Sequence, residues 1–242
     1  TSRGVCWNTA PNPTIANNKT VDGTGTGSFT SSITGLISNT TYYIRAYAVN
    51  NSGTTYGNEY SIRTLAQGEV LSATGRIWMD RNIGATRVAI SSDDYLAYGY
   101  LYQWGRGSDG HQLTNWTSST IGSPVNGFTT TQATSHIPGH NLFIEGYAYP
   151  PAQDWLNPSN DNLWQGINGI NNPCPTGFRL PTLAEFTAEI AAFPEQNSTG
   201  AYSSVLKLPV AGRRLLGPSL IEGGSVGYYW ISSVSTANPN TA

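Results

Sequence analysis

Aromatic side chains in a stretch of irregular sequence are the residues of this chain best suited to binding chemistry. Residues 107–172 show no clear helical or strand period, and a stretch of that length in a compact domain serves function or fills a loop-rich fold. A sugar can stack its apolar face on an indole or phenol ring while nearby amides bond its hydroxyls. In the alternative interpretation, the rings pin the loop to the core. The candidate ligand-binding residues are Trp116, Tyr147, Trp155, Trp164 and Asn157.

Oxygen-bearing side chains are concentrated in the tract DWLNPSNDN, which starts at Asp154. Calcium takes roughly six to eight oxygen ligands, and Asp and Asn side chains on one loop can supply several of them. The same residue types stabilise turns by bonding to nearby backbone, which is the alternative explanation. We expect no cofactor, and the alternative is calcium, for which the candidate ligands are Asp154, Asn157 and Asp161.

Catalytic motifs are not evident in the chain. A zinc site needs imidazoles that converge on the metal at about 2 Å, but the tract HIPGH, from His136 to His140, contains Pro-Gly and is therefore a turn. His111 is better explained by a structural hydrogen bond. No Cys/His motif stands out. We therefore expect a protein without enzymatic activity.

The composition restricts the class of partner. Charged residues make up 11% of the chain, the formal net charge is −2, and Lys and Arg do not cluster. Nucleic acid is a poor partner, because binding phosphates needs concentrated positive charge. No apolar run approaches the ~18 residues of a membrane span. The two cysteines, Cys6 and Cys174, are expected in different domains and therefore not bridged; Cys6 is typical of a small buried hydrophobe.

Two regions with different patterns must position these side chains. The first 66 residues contain short β-prone runs separated by turns, of which Thr41–Asn50 is the strongest. Residues 67–242 mix strands, a helix and the irregular stretch. The predicted fold class is β-rich, mixed α+β, with two domains at 1–66 and 67–242. Core positions are expected for Trp78, Tyr102, Trp104 and Trp230.

The clearest helix is predicted at Leu183–Phe193. Thr182 and Glu185 have the T-x-x-E spacing of a capping box. An apolar stripe at helical spacing is expected to face the core. A shorter helix is expected within 93–104, with Ser92 as its N-cap. The apolar stripe consists of Leu183, Phe186, Ile190 and Phe193.

Leu36, Thr40 and Tyr42 have the L-x-x-x-T-x-Y spacing of fibronectin type III domains. The segment from RGVCWNTAPNPTI to TTYYIRAYAVNNSGTTYGNEYSIRTL resembles the bacterial form of that module. The resemblance implies a β-sandwich in which the Tyr42 hydroxyl is bonded to nearby backbone. It also implies two further strands ahead of Ser2, without which one sheet keeps an open edge and an uncovered apolar face.

Three tracts of the second region resemble the Fibrobacter succinogenes major paralogous domain, which is common in surface proteins of Bacteroidetes and Fibrobacteres. They are GRIWMDRNIGA at 75–85, YGYLYQWGRGSDGHQ at 98–112 and NPCPTGFRLPTLAEF at 172–186. That family is similar to C-type-lectin-like folds, including the formylglycine-generating-enzyme branch. The resemblance implies a small sheet beneath long loops that carry the binding surface.

The same resemblance has implications for the end of the chain. In the family, the cysteine that matches Cys174 often has a partner near the C-terminus of the domain, and the formylglycine-generating branch works through a cysteine pair there. No cysteine follows Cys174, and the last hairpin of the domain is also missing. We therefore expect the chain to be a window of a longer polypeptide, without that catalysis.

The function expected from these resemblances is non-catalytic. The chain would be a binding or display module at a bacterial cell surface or in the extracellular space, acting in adhesion or in recognition of a glycan or a surface protein. The alternative is a structural subunit of an extracellular assembly or filament, whose loops contact neighbouring subunits. A virion decoration or receptor-binding protein is a further alternative.

Overall fold

The computed structural model describes residues 1–145, 154–215 and 217–234. The protein is β-rich, with 24% of residues in strands and 8% in helices, as the sequence predicted. It divides into two compact units, an N-terminal unit (Thr1–Glu69) and a C-terminal unit (Val70–Ala242). Within the described ranges, no helix is long and apolar enough to cross a membrane.

The N-terminal unit is built on one four-stranded antiparallel sheet. Its strands are β1 (Ser2–Asn8), β2 (Asn18–Lys19), β3 (Thr41–Asn50) and β4 (Gly53–Arg63), in the order β2-β1-β3-β4. The β3 sequence TYYIRAYAVN is rich in aromatic and β-branched residues, which pack well on a pleated surface. The sheet therefore forms where the sequence has its strongest β propensity.

The two faces of this sheet differ in burial. On one face, Cys6 and Tyr47 are buried, and the Cys6 thiol donates to the Pro13 carbonyl oxygen at 3.5 Å. The other face carries Trp7, Ile44 and Tyr60 side by side, since Trp7 pairs with Ile44 and Ile44 with Tyr60. Tyr60 is 68% exposed. Because Trp7 and Ile44 are half-buried, this second face is apolar and only partly open to solvent.

A local hydrogen bond fixes the chain that enters β3. Tyr42 is buried, and its hydroxyl accepts from the backbone N–H of Ile37 at 3.1 Å. This is the bond between a tyrosine hydroxyl and nearby backbone that the L-x-x-x-T-x-Y spacing predicted. It ties the loop before β3 to the strand.

The C-terminal unit contains many short elements joined by long loops. Its strands form two-stranded sheets, β5 with β6, β7 with β8, β9 with β10 and β11 with β12. Such short ladders leave most of the backbone to be satisfied by other groups. The elements are β5 (Glu69–Leu71, which begins at the last residue of the N-terminal unit), β6 (Ile77–Met79), a 3₁₀ helix (Tyr95–Ala97), β7 (Thr114–Trp116), β8 (Gly122–Pro124), β9 (Phe128–Thr129), β10 (Phe143–Ile144), α1 (Leu183–Ala191), α2 (Ser198–Ser203), β11 (Arg213–Arg214) and β12 (Leu220–Ile221).

Helix α1 begins as predicted and ends two residues earlier than expected. The Thr182 hydroxyl accepts from the Glu185 N–H, and the Glu185 carboxylate accepts from the Thr182 N–H, which completes the capping box. The short helix near residue 95 is capped by Asp94 and not by Ser92. Asp94 also receives two hydrogen bonds from Arg87, at 2.8 and 2.9 Å.

The predicted apolar stripe of α1 is wrong about which residue is buried. Leu183 is 58% exposed, whereas Glu189 is 1% exposed and is the buried residue of the helix. Its carboxylate accepts from the hydroxyls of Ser72 (2.6 Å) and Thr74 and from the Trp78 indole N–H (3.2 Å). A polar interaction with the β5–β6 hairpin therefore anchors the helix, because a buried carboxylate needs donors.

Candidate functional site

The tract from Tyr102 to Arg106 is held by tryptophan side chains. The carbonyl oxygens of alternate residues in this tract each accept a hydrogen bond from an indole N–H group. The three indoles come from distant parts of the sequence. Gly105, with φ of 79°, allows the turn inside this tract. These indole N–H groups donate the hydrogen bonds that a neighbouring strand provides in a sheet. The bonds run from Trp230 to Tyr102 (2.9 Å), from Trp155 to Trp104 (2.7 Å) and from Trp164 to Arg106 (3.3 Å).

A reciprocal bond joins this tract to the segment at residues 230–231. The Trp104 indole N–H donates to the Ile231 carbonyl oxygen at 2.9 Å, while the Trp230 indole donates to that of Tyr102. Both rings therefore have their polar edges bound to backbone and cannot rotate freely. Such rings are fixed before any ligand arrives, which lowers the entropy cost of binding.

Trp164 is the buried support of these rings. It is 1% exposed, and its ring centroid lies 6.3 Å from that of Tyr102, 5.7 Å from that of Trp104 and 6.5 Å from that of Trp230. Tilted and edge-to-face arrangements at these distances are favourable. The cluster forms a rigid aromatic floor.

Above this floor lies a concave surface with a volume of about 1130 Å³. Three of its lining rings reach solvent, Tyr100 (37% exposed), Tyr228 (44%) and Trp230 (41%). We call this surface the aromatic groove. The expected core position of Trp230 is therefore wrong, and Tyr102, Trp104 and Trp78, also expected in the core, are only half-buried and line the groove.

Two arginines share one carboxylate at the groove. Arg179 binds Glu185 through two hydrogen bonds, at 2.7 and 2.8 Å, and Arg76 reaches the same carboxylate at 3.0 Å. The bonds from Arg179, the backbone N–H of Thr182 and the charge of Arg76 lower the pKa of Glu185 to about 2. The group remains ionised at neutral pH, and the positive charge at this place exceeds the negative charge.

A second arginine pair lines the groove at β11. The Nε of Arg213 lies 3.0 Å from the Glu222 carboxylate, and its guanidinium lies 4.7 Å from the ring centre of Tyr228. The Tyr228 hydroxyl donates to Glu222 at 2.8 Å. These contacts hold Arg213 against an exposed ring, in an orientation suited to cation–π interaction.

Arg214 has no carboxylate partner among the residues that the structure describes. Its terminal nitrogens donate at 3.2 Å to the carbonyl oxygens of His111, Asn126 and Gly127. Burial, together with the charge of Arg106, lowers the pKa of Arg214 to about 10. It is still a cation at neutral pH, and the nearby carboxylate of Glu145 partly offsets its charge.

The binding residues predicted from the loop are mostly structural. Trp155 and Trp164 are 4% and 1% exposed, so their faces are closed to a ligand and they pin the loop to the core. Trp116 is half-buried and packs edge-on against Tyr98 at 5.1 Å. Asn157 is exposed, and Tyr147 lies outside the described residues.

The acidic tract does not form a metal cluster in the part of the chain that the structure describes. No group of three or more His, Cys, Asp or Glu residues there could hold a metal ion. Asp154 is half-buried, and burial raises its pKa, while Asp161 is exposed. The Asn160 side chain accepts from the backbone N–H of Asn162 at 2.9 Å, a bond that stabilises the turn. Asp154 and Asp161 both line the aromatic groove.

His111 has the structural role expected of it. It is fully buried, its Nε2 accepts from the Gln103 N–H at 3.0 Å, and its Nδ1 bonds to Asp109 at 2.7 Å. Asp109 also binds the buried Arg106 at 2.7 Å. Burial lowers the pKa of His111, so the imidazole is neutral and carries its proton on Nδ1. The two cysteines are both free thiols.

Sequence reasoning missed Arg213 and Tyr228, since they lie 15 positions apart and neither belongs to a recognisable motif. The one available signal was the alternation of Tyr228 and Trp230, which an extended segment places on the same side. No protein-family model, curated protein or solved structure matched the chain. The geometry of the groove is therefore the basis for a functional proposal.

Proposed function

We propose that this chain is a non-catalytic binding module of a bacterial surface or secreted protein, which recognises a glycan or a surface protein through the aromatic groove. The observation that carries the proposal is the exposure of Tyr100, Tyr228 and Trp230 over a floor of buried indoles. Three aromatic faces open to water on one concave surface are costly unless they meet a ligand.

A different fold is proposed for each of the two units. For the N-terminal unit, the sheet order β2-β1-β3-β4 and the hydrogen bond of Tyr42 support a fibronectin type III-like sandwich. For the C-terminal unit, short sheets, helix α1 and long loops support a C-type-lectin-like domain. In folds of this kind, a rigid framework carries the recognition surface on its loops.

The polar edges of the rings make the groove suited to stacking. The indole N–H of Trp230 and the hydroxyl of Tyr228 are both occupied by protein acceptors. Their ring faces remain for the apolar face of a sugar or for an aromatic or proline side chain of a protein. Hydrogen bonds to such a ligand must come from the arginines and carboxylates that line the groove.

Binding by the full chain to an array of glycans and surface-protein fragments tests this proposal. Trp230→Ala and Tyr228→Ala should each weaken capture by at least about tenfold, because aromatic anchors dominate binding energies. Trp7→Ala, which removes a half-buried indole of the N-terminal unit, is the matched control and should leave capture unchanged. Since Tyr228 is exposed, its variant remains folded even if Trp230→Ala does not. Capture that survives both groove substitutions would contradict the proposal.

A second candidate function is a structural subunit of an extracellular assembly. The observation that favours it is the partly exposed apolar face of the N-terminal sheet, with Trp7, Ile44 and the exposed Tyr60 in register. Such faces mark interaction surfaces. Sedimentation of the full chain over a concentration series tests it: self-association that Tyr60→Lys abolishes would favour the subunit, and a monomer throughout would reject it.

A further inference from the structure

The terminal nitrogens of Arg213 are donors without an acceptor among the described residues. Its Nε lies against Glu222 and its guanidinium lies over Tyr228, so the side chain is oriented, yet it is 44% exposed. A guanidinium held in this way presents two parallel N–H groups at its open end. That end matches the two oxygens of a carboxylate.

The charges around Arg213 favour an anionic group at this end of the groove. Among the described residues, Arg213 forms a salt bridge with Glu222, whereas Arg214 forms no direct salt bridge and is influenced by the charge of Glu145. Arg76 and Arg179 likewise both pair with Glu185. A ligand carboxylate would pair with the open end of the Arg213 guanidinium.

The groove also contains acceptors for hydroxyl groups. Asp154 and Asp161 line it beside the tryptophan cluster, and an ionised carboxylate accepts from sugar hydroxyls. A simple anion would leave these two acceptors unused, and a neutral sugar would leave Arg213 unused. A carboxylated sugar has the acidic group at one end and hydroxyls around the rest of its ring. It therefore satisfies both kinds of side chain.

The spacing of the rings fits the same ligand. Tyr228 and Trp230 are exposed while Tyr229 between them is half-buried, so the two exposed rings lie on one side of the segment. Two residues of extended chain cover about 7 Å. Side chains two positions apart on an extended segment are therefore separated by about the width of one sugar residue.

We propose that the aromatic groove binds glycans that contain uronic acids, with a sugar ring on Trp230 and its carboxylate on the terminal nitrogens of Arg213. The proposal rests on the proposed function of the groove and specifies its ligand class.

Titration calorimetry of the full chain with oligogalacturonate and with its fully methyl-esterified form tests this assignment. The acid should bind about tenfold more tightly than the ester, since a charge-assisted pair is lost on esterification. Arg213→Gln should remove the difference and leave binding of the ester unchanged. Arg63→Gln is the matched control, because Arg63 is also a half-exposed arginine paired with one glutamate but lies in the N-terminal unit. It should retain the preference for the acid.

The outcomes separate this inference from the function that underlies it. If acid and ester bind equally, or if Arg213→Gln keeps the preference for the acid, the uronic-acid assignment is overturned. The groove function stands in that case as long as Tyr228→Ala weakens the shared binding. If oligogalacturonate does not bind while another partner is captured through Tyr228, only the ligand class is wrong. A thermal melt of Arg213→Gln confirms that the variant is folded.

Discussion

The N-terminal unit satisfies its backbone through strand ladders, whereas the C-terminal unit uses side chains for much of the same task. Strand β1 pairs with β3 over all seven of its residues, and β3 continues into β4. In the C-terminal unit, by contrast, the paired strands are two or three residues long. Indole, amide and guanidinium groups bond the carbonyl oxygens there, as when the Asn171 amide donates to Gly105 at 2.9 Å.

Because of this difference, the two units should differ in their sensitivity to mutation. A ladder is formed by backbone groups and depends little on which side chain is present, apart from its packing. A carbonyl bonded by a side chain loses its partner when that residue changes, and an unsatisfied buried acceptor is costly. The C-terminal unit should therefore be the more sensitive of the two, at positions that carry the bonds and not only at apolar ones.

Arg106 offers the largest expected effect. It is fully buried and donates to Asp109, to the Gln103 side chain and to the carbonyl oxygens of Leu142 and His140. Arg106→Met should lower the free energy of unfolding of the C-terminal unit by about 3 kcal/mol. The substitution leaves several buried acceptors and the Asp109 carboxylate without their hydrogen-bond donor. Urea unfolding followed by tryptophan fluorescence measures this, since all seven tryptophans except Trp7 lie in that unit.

Arg45→Met is the matched control in the N-terminal unit. Arg45 donates to the Gly57 carbonyl oxygen and stacks on Tyr56 at 4.6 Å, but it lies on a strand whose ladder does not need it. Its loss should cost less than about 1 kcal/mol. Hydrogen exchange read by mass spectrometry reports each unit separately. If the two substitutions reduced hydrogen-exchange protection equally, the two units would not differ in how much they depend on side-chain hydrogen bonds.

Sequence reasoning succeeded where the partners are close in the chain. The capping box of Thr182 and Glu185 spans three positions, and Tyr42 reaches back five positions to Ile37. Local spacing is enough to specify such bonds, because the backbone between the partners has few conformations. The β-rich class followed from propensity in the same way.

The groove depends on contacts that no local pattern encodes. Trp230 bonds to a carbonyl 128 positions away, and Trp164 to one 58 positions away. An indole that caps a distant carbonyl and an indole that faces solvent look alike in a sequence. The same ambiguity explains why Trp155 was considered for binding although it is buried, and why Glu189, placed among apolar helix residues, became the buried anchor of α1.

A further prediction concerns how the stability of the C-terminal unit depends on pH. All three histidines lie in that unit. Burial lowers the pKa of His111 below its ordinary value of 6.5, so the unfolded chain takes up a proton more readily than the folded one. The stability that the neutral imidazole contributes is present above pH 6.5 and is lost as the pH falls below it. Unfolding midpoints in urea should therefore decrease for the C-terminal unit between pH 7 and pH 5.

Variants separate His111 from other acid effects. His111→Gln should flatten this pH dependence, whereas His140→Gln, at an exposed histidine, should leave it in place. The N-terminal unit has no histidine, and its hydrogen-exchange protection should change little over the same range once intrinsic rates are corrected. A decline of both units in parallel would assign the effect to net charge and not to His111.

A smaller effect than that of Arg106→Met is expected at a buried tyrosine hydroxyl of the N-terminal unit. Tyr42→Phe keeps the ring and removes the hydroxyl that accepts from Ile37. The loss should be about 1 kcal/mol, the usual net value of a single hydrogen bond, because Ile37 is 66% exposed and water can reach its N–H. Tyr43→Phe on the opposite face has no such bond among the described residues and should cost nothing measurable. If Tyr42→Phe lowered the free energy of unfolding as much as Arg106→Met does, the stability of both units would depend on side-chain hydrogen bonds. The strand ladder would then not make the N-terminal unit less sensitive to such substitutions.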